Sequence, residues 1–247
     1  MKIYPNLLLT YHYNKVENKK EKLEDFKTAI SSTVRSISNS QKIEISFGNQ
    51  ISNSENSTIK LPELSQINNK LNFEEIRAIA DSKSLNLRFS NNKTYKKYEP
   101  KGNISRKLYK ISEKIRCEKI GTSYFKGIKN NIEKFYLNRM SGLDLKSSED
   151  KIVESFENYL RVKFLDFKNE SKIDKKLKSY KKDLNDQFKD RMAELKELTL
   201  DQEKFNSLVS KLISSMSLDE NIENEEKKNE ENNNDDKKSK PQNQDFK

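Results

Sequence analysis

Apolar residues from Asn103 to Met140 fall on two helical stripes that do not line up. Ile104, Leu108, Ile111 and Ile115 recur at steps of four, three and four, and Ile120, Tyr124, Ile128, Ile132 and Phe135 at steps of four, four, four and three. Each set occupies one face of a helix. The join from Ile115 to Ile120 is a step of five, so at about 100° per residue the second stripe lies on roughly the opposite side from the first. The pattern predicts a central element that either buries one face and then the other, or breaks near Gly121.

The flanking pattern is helical with one interruption. Residues 1–20 have no clear period and read as a flexible arm. Leu23, Phe26, Ile30, Thr33, Val34 and Ile37 predict an amphipathic helix from about Glu21 to Ser38. Period-two alternation at 42–47, ended by Gly48, and at 58–61, ended by Pro62, predicts two strands, which a long loop would join as a hairpin. Asn72 and Glu75 have capping-box spacing, ahead of a face made by Ile76, Ile79, Ala80 and Leu87. Residues 93–101 read as a basic loop. Ser147 or Ser148 can cap a helix whose face is Val153, Phe156, Leu160, Phe164 and Phe167. Ile173, Leu177, Tyr180, Leu184, Phe188, Met192 and Leu195 continue one stripe, better suited to bundle packing than to a coiled-coil arm. Thr199 and Gln202 mark a last capping box, before Phe205, Leu208, Val209, Leu212, Ile213 and Met216. One-faced helices must pack on each other. The expected fold is mainly α, a multi-helix bundle with a small two-stranded β element near the N-terminus. The expected divisions are an arm at 1–20, a helical domain at 21–218 and a disordered acidic linker or tail at 219–247.

Composition sharpens this picture at the end of the chain. Of 247 residues, 36% are charged and 32% hydrophobic, and mean hydropathy is −1.04, too polar for a chain that is packed throughout. After Leu218 the sequence becomes Glu, Asn, Asp and Lys and can bury no core. The net charge of +10 divides into +14 over residues 1–218 and −4 beyond them. A basic body can meet nucleic acid, an acidic membrane surface or an acidic protein, although lysines scattered over helix faces usually form a solvated surface. The N-terminal apolar core, Leu7-Leu8-Leu9, is too short for a signal peptide or a membrane span, so a soluble, cytoplasmic protein with no membrane partner is expected.

The chemistry-bearing residues are sparse. One cysteine, Cys117, excludes an intrachain disulfide, and its helical position reads as a small buried hydrophobe. His12, the single histidine, reads as a surface residue. No phosphate loop, dinucleotide fingerprint or HExxH occurs. No catalytic, cofactor-binding or metal residue is therefore assigned. Lys93 to Lys119 holds ten Lys/Arg with Tyr95, Tyr98 and Tyr109 interleaved, a weak nucleic-acid signal without a recognised fold signature, and nucleic acid is disfavoured as a partner. Glu118 falls where the first stripe would want its next apolar residue, and Arg116 lies three after Glu113, a helix-neighbour spacing. Two readings stay open: Glu118 is exposed because the stripe has ended, or it belongs to a buried polar pair at the crossover. Glu157 is expected on the surface.

Several short runs, in order, resemble a known family. They are Phe26-Lys-Thr-Ala-Ile-Ser-Ser-Thr-Val-Arg-Ser-Ile37, Glu44-Ile-Ser-Phe-Gly48, Leu61-Pro62, Arg77-Ala-Ile-Ala-Asp-Ser82 with Leu85 and Leu87-Arg88, Ser105-Arg106, and Ile115-Arg-Cys-Glu-Lys-Ile-Gly121 with Gly127 and Asn130-Asn131. Together they resemble the T subunit of aerobic cobaltochelatase, the CobT family, from about Phe26 to Met216, and the stretch after Asp219 resembles that family's acidic linker. The resemblance implies a subunit without an active site of its own, in a hetero-oligomer with an AAA+ ATPase subunit and a large chelatase subunit. ATP with magnesium, and cobalt for insertion into a corrin ring, belong to that complex. The resemblance marks Arg35, Arg106, Arg116, Glu118 and Gly121 as structural or interaction candidates. The family's von Willebrand factor A-type domain, with its Asp-x-Ser-x-Ser metal site, has no counterpart here, so the chain looks like the N-terminal portion of a longer protein or a truncated gene product. The alternatives are a basic helical nucleic-acid-binding protein and an adaptor of a remodelling machine unrelated to corrins.

Overall fold

The computed structural model describes residues 5–48, 58–64, 66–67, 70–125, 127–145, 147–168, 177, 180–216 and 218, with side chains described outside 5–19 and 66–71. In chain order the elements are α1 (Pro5–Ser38), β1 (Glu44–Phe47), β2 (Thr58–Leu61), β3 (Gln66–Ile67), β4 (Lys70–Leu71), α2 (Phe73–Phe89), α3 (Asn92–Tyr98), α4 (Asn103–Tyr124), α5 (Ile128–Ser141), α6 (Ser148–Lys163), α7 (Lys181–Phe188), α8 (Met192–Glu197) and α9 (Gln202–Ser214). The expected mainly helical fold with a small sheet is what forms. The acidic stretch 219–247 and most of the 173–179 stripe lie outside the described residues.

The chain separates into two compact units, Met1–Asn91 with Cys117–Gly142 and Asn92–Arg116 with Leu143–Lys247. The body expected as one helical domain, 21–218, contains parts of both. The boundary at Arg116–Cys117 falls inside α4, at the step where the two stripes change sides. Each unit therefore takes one half of that helix.

In the first unit, α1 begins at Pro5 rather than near Glu21, so residues 5–20, expected as an arm, continue the helix. Proline suits the first helical position, and no Gly or Pro interrupts the Lys- and Glu-rich run that follows. The helix ends in a Schellman closure: Asn39 takes φ +54°, its N–H donates to Ser36 O, and Ser40 N–H donates to Arg35 O at 3.1 Å. The two expected strands pair in parallel, Ile45 with Ile59 and Phe47 with Leu61, not as a hairpin. Alternation marks faces without marking direction, and residues 48–57 can reach roughly 33 Å, enough to return along a four-residue strand. β3 and β4 form a further antiparallel pair that the hydropathy pattern did not reveal. Ile30, Val34, Ile43, Phe47, Ile59, Leu61, Ile76 and Ala80 make the core.

α2 runs as expected from Asn72, although that side chain makes no capping bond. Ile76 and Ala80 of its expected face are buried, but the rest of the face differs from expectation. Leu87 is 41% exposed, whereas Ala78, Asp81, Ser82, Ser84 and Leu85 are buried. On this face Leu85 meets Gly121 of α4. The central element does break near Gly121: α4 ends at Tyr124 and α5 begins at Ile128. Gly127, with φ +97°, starts α5, a backbone shape that side chains resist. Tyr124, expected on the second stripe, is 67% exposed because α4 ends there.

In the second unit, the expected basic loop is largely the short helix α3. α6 starts where predicted, Ser147 Oγ accepting from Asp150 N–H at 3.0 Å. Phe156, Leu160, Phe164 and Phe167 are buried, as are Leu177, Leu184, Phe188 and Leu195 of the following stripe. That stripe is not one continuous helix, because a 3-10 turn, Lys189–Arg191, separates α7 from α8. The last helix is capped by Asp201, whose carboxylate accepts from Lys204 N–H at 3.1 Å. Thr199 instead lies buried in a preceding 3-10 turn and donates to Lys196 O at 2.7 Å. Aromatic pairs knit the core: Tyr95 with Tyr109, Phe156 and Tyr159 with Phe188, and Phe164 with Phe205.

Candidate functional site

Polar residues at two points of the first unit are held in place by specific partners. Asp81, fully buried on α2, accepts from Arg77 Nε one turn earlier at 2.9 Å and from Asn131 Nδ2 of α5 at 2.9 Å. Burial pushes its carboxyl above the ordinary 3.8, and the bonds from Asn131 and Arg77 work against that push. Arg77 Nη1 lies 3.5 Å from Thr33 Oγ1 of α1. The second point is Glu118, fully buried, which accepts from Ser82 Oγ at 2.6 Å. Beside it, Asn86 Nδ2 approaches Cys117 Sγ at 3.9 Å.

Arg77 and Asn131 open onto a groove of about 580 Å³, whose walls include Ser32, Thr33 and Ile37 of α1, Tyr124 and Phe125 at the end of α4, and Ile128 of α5. Aromatic side chains cluster at its rim. Tyr124 stacks on Phe89 with centroids 6.2 Å apart. The Arg88 guanidinium stands 5.3 Å from the Phe89 ring and 5.8 Å from the Phe125 ring, and Arg88 donates to Ile37 O at 2.9 Å, satisfying a carbonyl in the last turn of α1.

The second unit places its ion pairs inside. Arg116, 1% exposed, forks onto Glu113 through Nε and Nη2, both at 2.9 Å, and donates from Nη1 to Thr199 O at 2.9 Å. Gln202 Nε2 donates to the same Glu113 at 2.9 Å. The guanidinium also stands 6.0 Å from the Phe205 ring. A bidentate arginine with its remaining donor on a carbonyl is the geometry that lets a charge pair be buried. Glu157, expected on the surface, is 7% exposed and accepts from Arg161 Nε at 2.9 Å and Nη2 at 2.7 Å. The arginine one turn later compensates its charge, which no reading of hydropathy registers. Several cations of the basic Lys93–Lys119 stretch are likewise engaged: Lys97 with Glu203 at 2.6 Å, Lys107 with Glu149, Lys114 with Glu157 at 3.5 Å. Tyr109 is fully buried and donates to Tyr95 O at 2.9 Å. Burial holds the Tyr95 hydroxyl up at about 12 and raises Tyr109 as well. Tyr95 and Tyr109 pack on each other inside the unit, with ring centroids 4.8 Å apart.

The five sequence candidates are not brought together as one site. Arg35 lies in the last turn of α1, half-buried, and its carbonyl closes the helix end. Arg106 is exposed on the first turns of α4. Arg116 and Glu118 are two residues apart and buried, but their partners belong to different units. Gly121 is packed against Leu85: a Cβ there would lie 2.9 Å from Leu85 Cγ, closer than carbon atoms tolerate. The network Arg77–Asp81–Asn131 was not singled out by composition or period. Arg77 and Asp81 have helix-neighbour spacing that flags a pair, but Asn131 is fifty residues away and only the fold brings it in. Among the described residues, no group of three or more His, Cys, Asp or Glu could hold a metal ion. The side chain of His12 lies outside them.

A family model described as cobalamin biosynthesis protein CobT matches residues 20–246. The chain belongs to the CobT family. Membership carries a role in cobalamin biosynthesis, as a cobaltochelatase component. The runs 77–82 and 115–121 that carried the resemblance are where this CobT chain places its Asp81 network, the Arg116 fork and the Gly121 contact. No solved structure matches it, and among the described residues no helix is long and apolar enough to cross a membrane.

Proposed function

We propose that this chain is a non-catalytic assembly module of an ATP-dependent cobaltochelatase, docking an AAA+ ATPase subunit and, with it, the large subunit that inserts cobalt into a corrin ring. The observation that carries the reading is the family match across nearly the whole chain. The chemistry of the buried residues supports it. Arg116 is bonded to Glu113 and to the Thr199 carbonyl, and Arg161 to Glu157, so these charges are engaged inside the unit rather than facing a reacting group. Nucleotide hydrolysis is assigned to the partner, and cobalt is cargo of the complex.

Purified chain mixed with the ATPase subunit, ATP and magnesium should migrate as one peak on gel filtration. Two separate peaks under those conditions would overturn the reading. Nucleotide or tetrapyrrole turnover by the chain alone would contradict its non-catalytic part.

A further inference from the structure

The groove of the first unit has features that a purely structural surface does not need. Tyr124, two-thirds exposed, stands at its edge, with Phe125 on its wall. Large aromatic side chains left in water beside a concavity mark binding surfaces, and Tyr and Arg are the residues that most often dominate them. Arg77 lines the groove, and the guanidinium of Arg88, 5.8 Å from the ring of the wall residue Phe125, stands beside it. The carboxylate that meets Arg77, Asp81, is sealed at 0% exposure, while the Arg77 side chain remains 38% exposed. Asp81 therefore aims the guanidinium without covering it. The N-terminus of α5 also opens here through Gly127 and Ile128, with no acidic residue in its first turn to offset the helix dipole.

We propose that this groove docks a partner protein through an acidic segment, a carboxylate on Arg77 and an apolar side chain against Tyr124 and Phe125. Charge complementarity selects the occupant. Two guanidinium groups and a positive helix end favour carboxylates, whereas the accessible rings of Tyr124 and Phe125 favour an interleaved apolar residue over a phosphodiester backbone. The proposal names a surface for the docking role above and rests on that role, but its test uses no ATPase subunit, so the two fail separately.

The test is titration of the full, isotope-labelled chain with a short synthetic peptide of repeating Glu-Leu-Glu, followed by amide chemical shifts. Shifts should cluster at residues 32–37 and 124–131 and should fade as salt rises, because partly exposed charges are screened. Tyr124→Ala should weaken binding about tenfold. Leu200→Ala, which removes a 76% exposed side chain on the second unit, should leave it unchanged. Because Tyr124 is mostly in water, its loss leaves the core intact. The proposal is overturned if a Gln-Leu-Gln peptide binds as well, if the shifts fall elsewhere, if Tyr124→Ala binds like the parent, or if oligouridine displaces the peptide from the same amides.

Discussion

In the second unit both members of each central ion pair are inside: the Arg116 and Glu113 side chains are 1% and 2% exposed, those of Arg161 and Glu157 2% and 9%. In the first unit Asp81 is equally sealed, but its partner Arg77 keeps 38% of its side chain in water and faces a groove. A fully internal pair is a structural device, because its charges are spent on each other and on backbone. A pair with one end open is a positioned charge. The comparison sets a unit whose central ion pairs are sealed beside one in which Arg77 keeps a positioned charge open to water.

The sharpest way to break that contrast is to remove one member of an internal pair. Arg116→Ala takes the guanidinium from Glu113 and from the Thr199 carbonyl, and loss of one partner of a buried pair costs about 3–5 kcal/mol. Urea unfolding should show that loss. A cost near that of a surface change would mean Arg116 is not buried as a pair. Glu157→Ala should come next, taking the carboxylate from Arg161, with somewhat less damage because the Glu157 side chain is 9% exposed against 2% for Glu113. Glu118→Ala strips the acceptor from Ser82 and belongs to the same series. The reference is the exposed Glu197→Ala, expected within about 0.5 kcal/mol of the parent. Melting temperatures for the Glu118 and Glu197 variants that coincide would show that Glu118 supports nothing.

Steric fit along α4 gives the next effect. Gly121→Ala forces its new Cβ against the fully buried Leu85, and overpacking of this kind costs about 1–3 kcal/mol. Pairing it with Leu85→Ala should recover part of the loss, a coupling that a double-mutant cycle measures. Strict additivity would place the two residues out of contact.

How much of this was legible follows from which signal each feature leaves. The two stripes of α4 and their change of side were visible, because Ile104, Leu108, Ile115 and Ile120 are apolar and regularly spaced. The Arg116–Glu113 spacing was visible too. The buried face of α2 was not, since Ala78, Ser82, Ser84 and Asp81 are small or polar and hydropathy passes over them. Strand direction was hidden because period two is the same for parallel and antiparallel partners. Glu157 was misplaced because a carboxylate reads as exposed until its arginine is counted. The two-unit division was invisible for a plainer reason: the second unit joins 92–116 to residues beyond 143, and no local pattern reports that association. The groove assembles α1, α2, α4 and α5, so only Arg77 with Asp81 left a trace.

The smallest expected effect tests the open pair by pH. Burial raises the Asp81 carboxyl above 3.8 in the folded chain, against the opposing pull of Asn131 and Arg77. Between 3.8 and that raised value the folded state holds the proton more tightly than the unfolded state. Stability from this group is therefore fully present below 3.8 and is lost as pH rises through the folded value. Asp81→Asn has no such titration. The difference in melting temperature, parent minus variant, should grow as the solution is acidified from about neutral towards 3.8, because the other carboxylates titrate alike in both proteins. A difference that shrinks on acidification would mean that Arg77 dominates the site and that Asp81 holds its charge more firmly when folded. The guanidinium at the groove would then be largely neutralised, which would weaken the case for an acidic partner there while leaving the internal pairs of the second unit untouched.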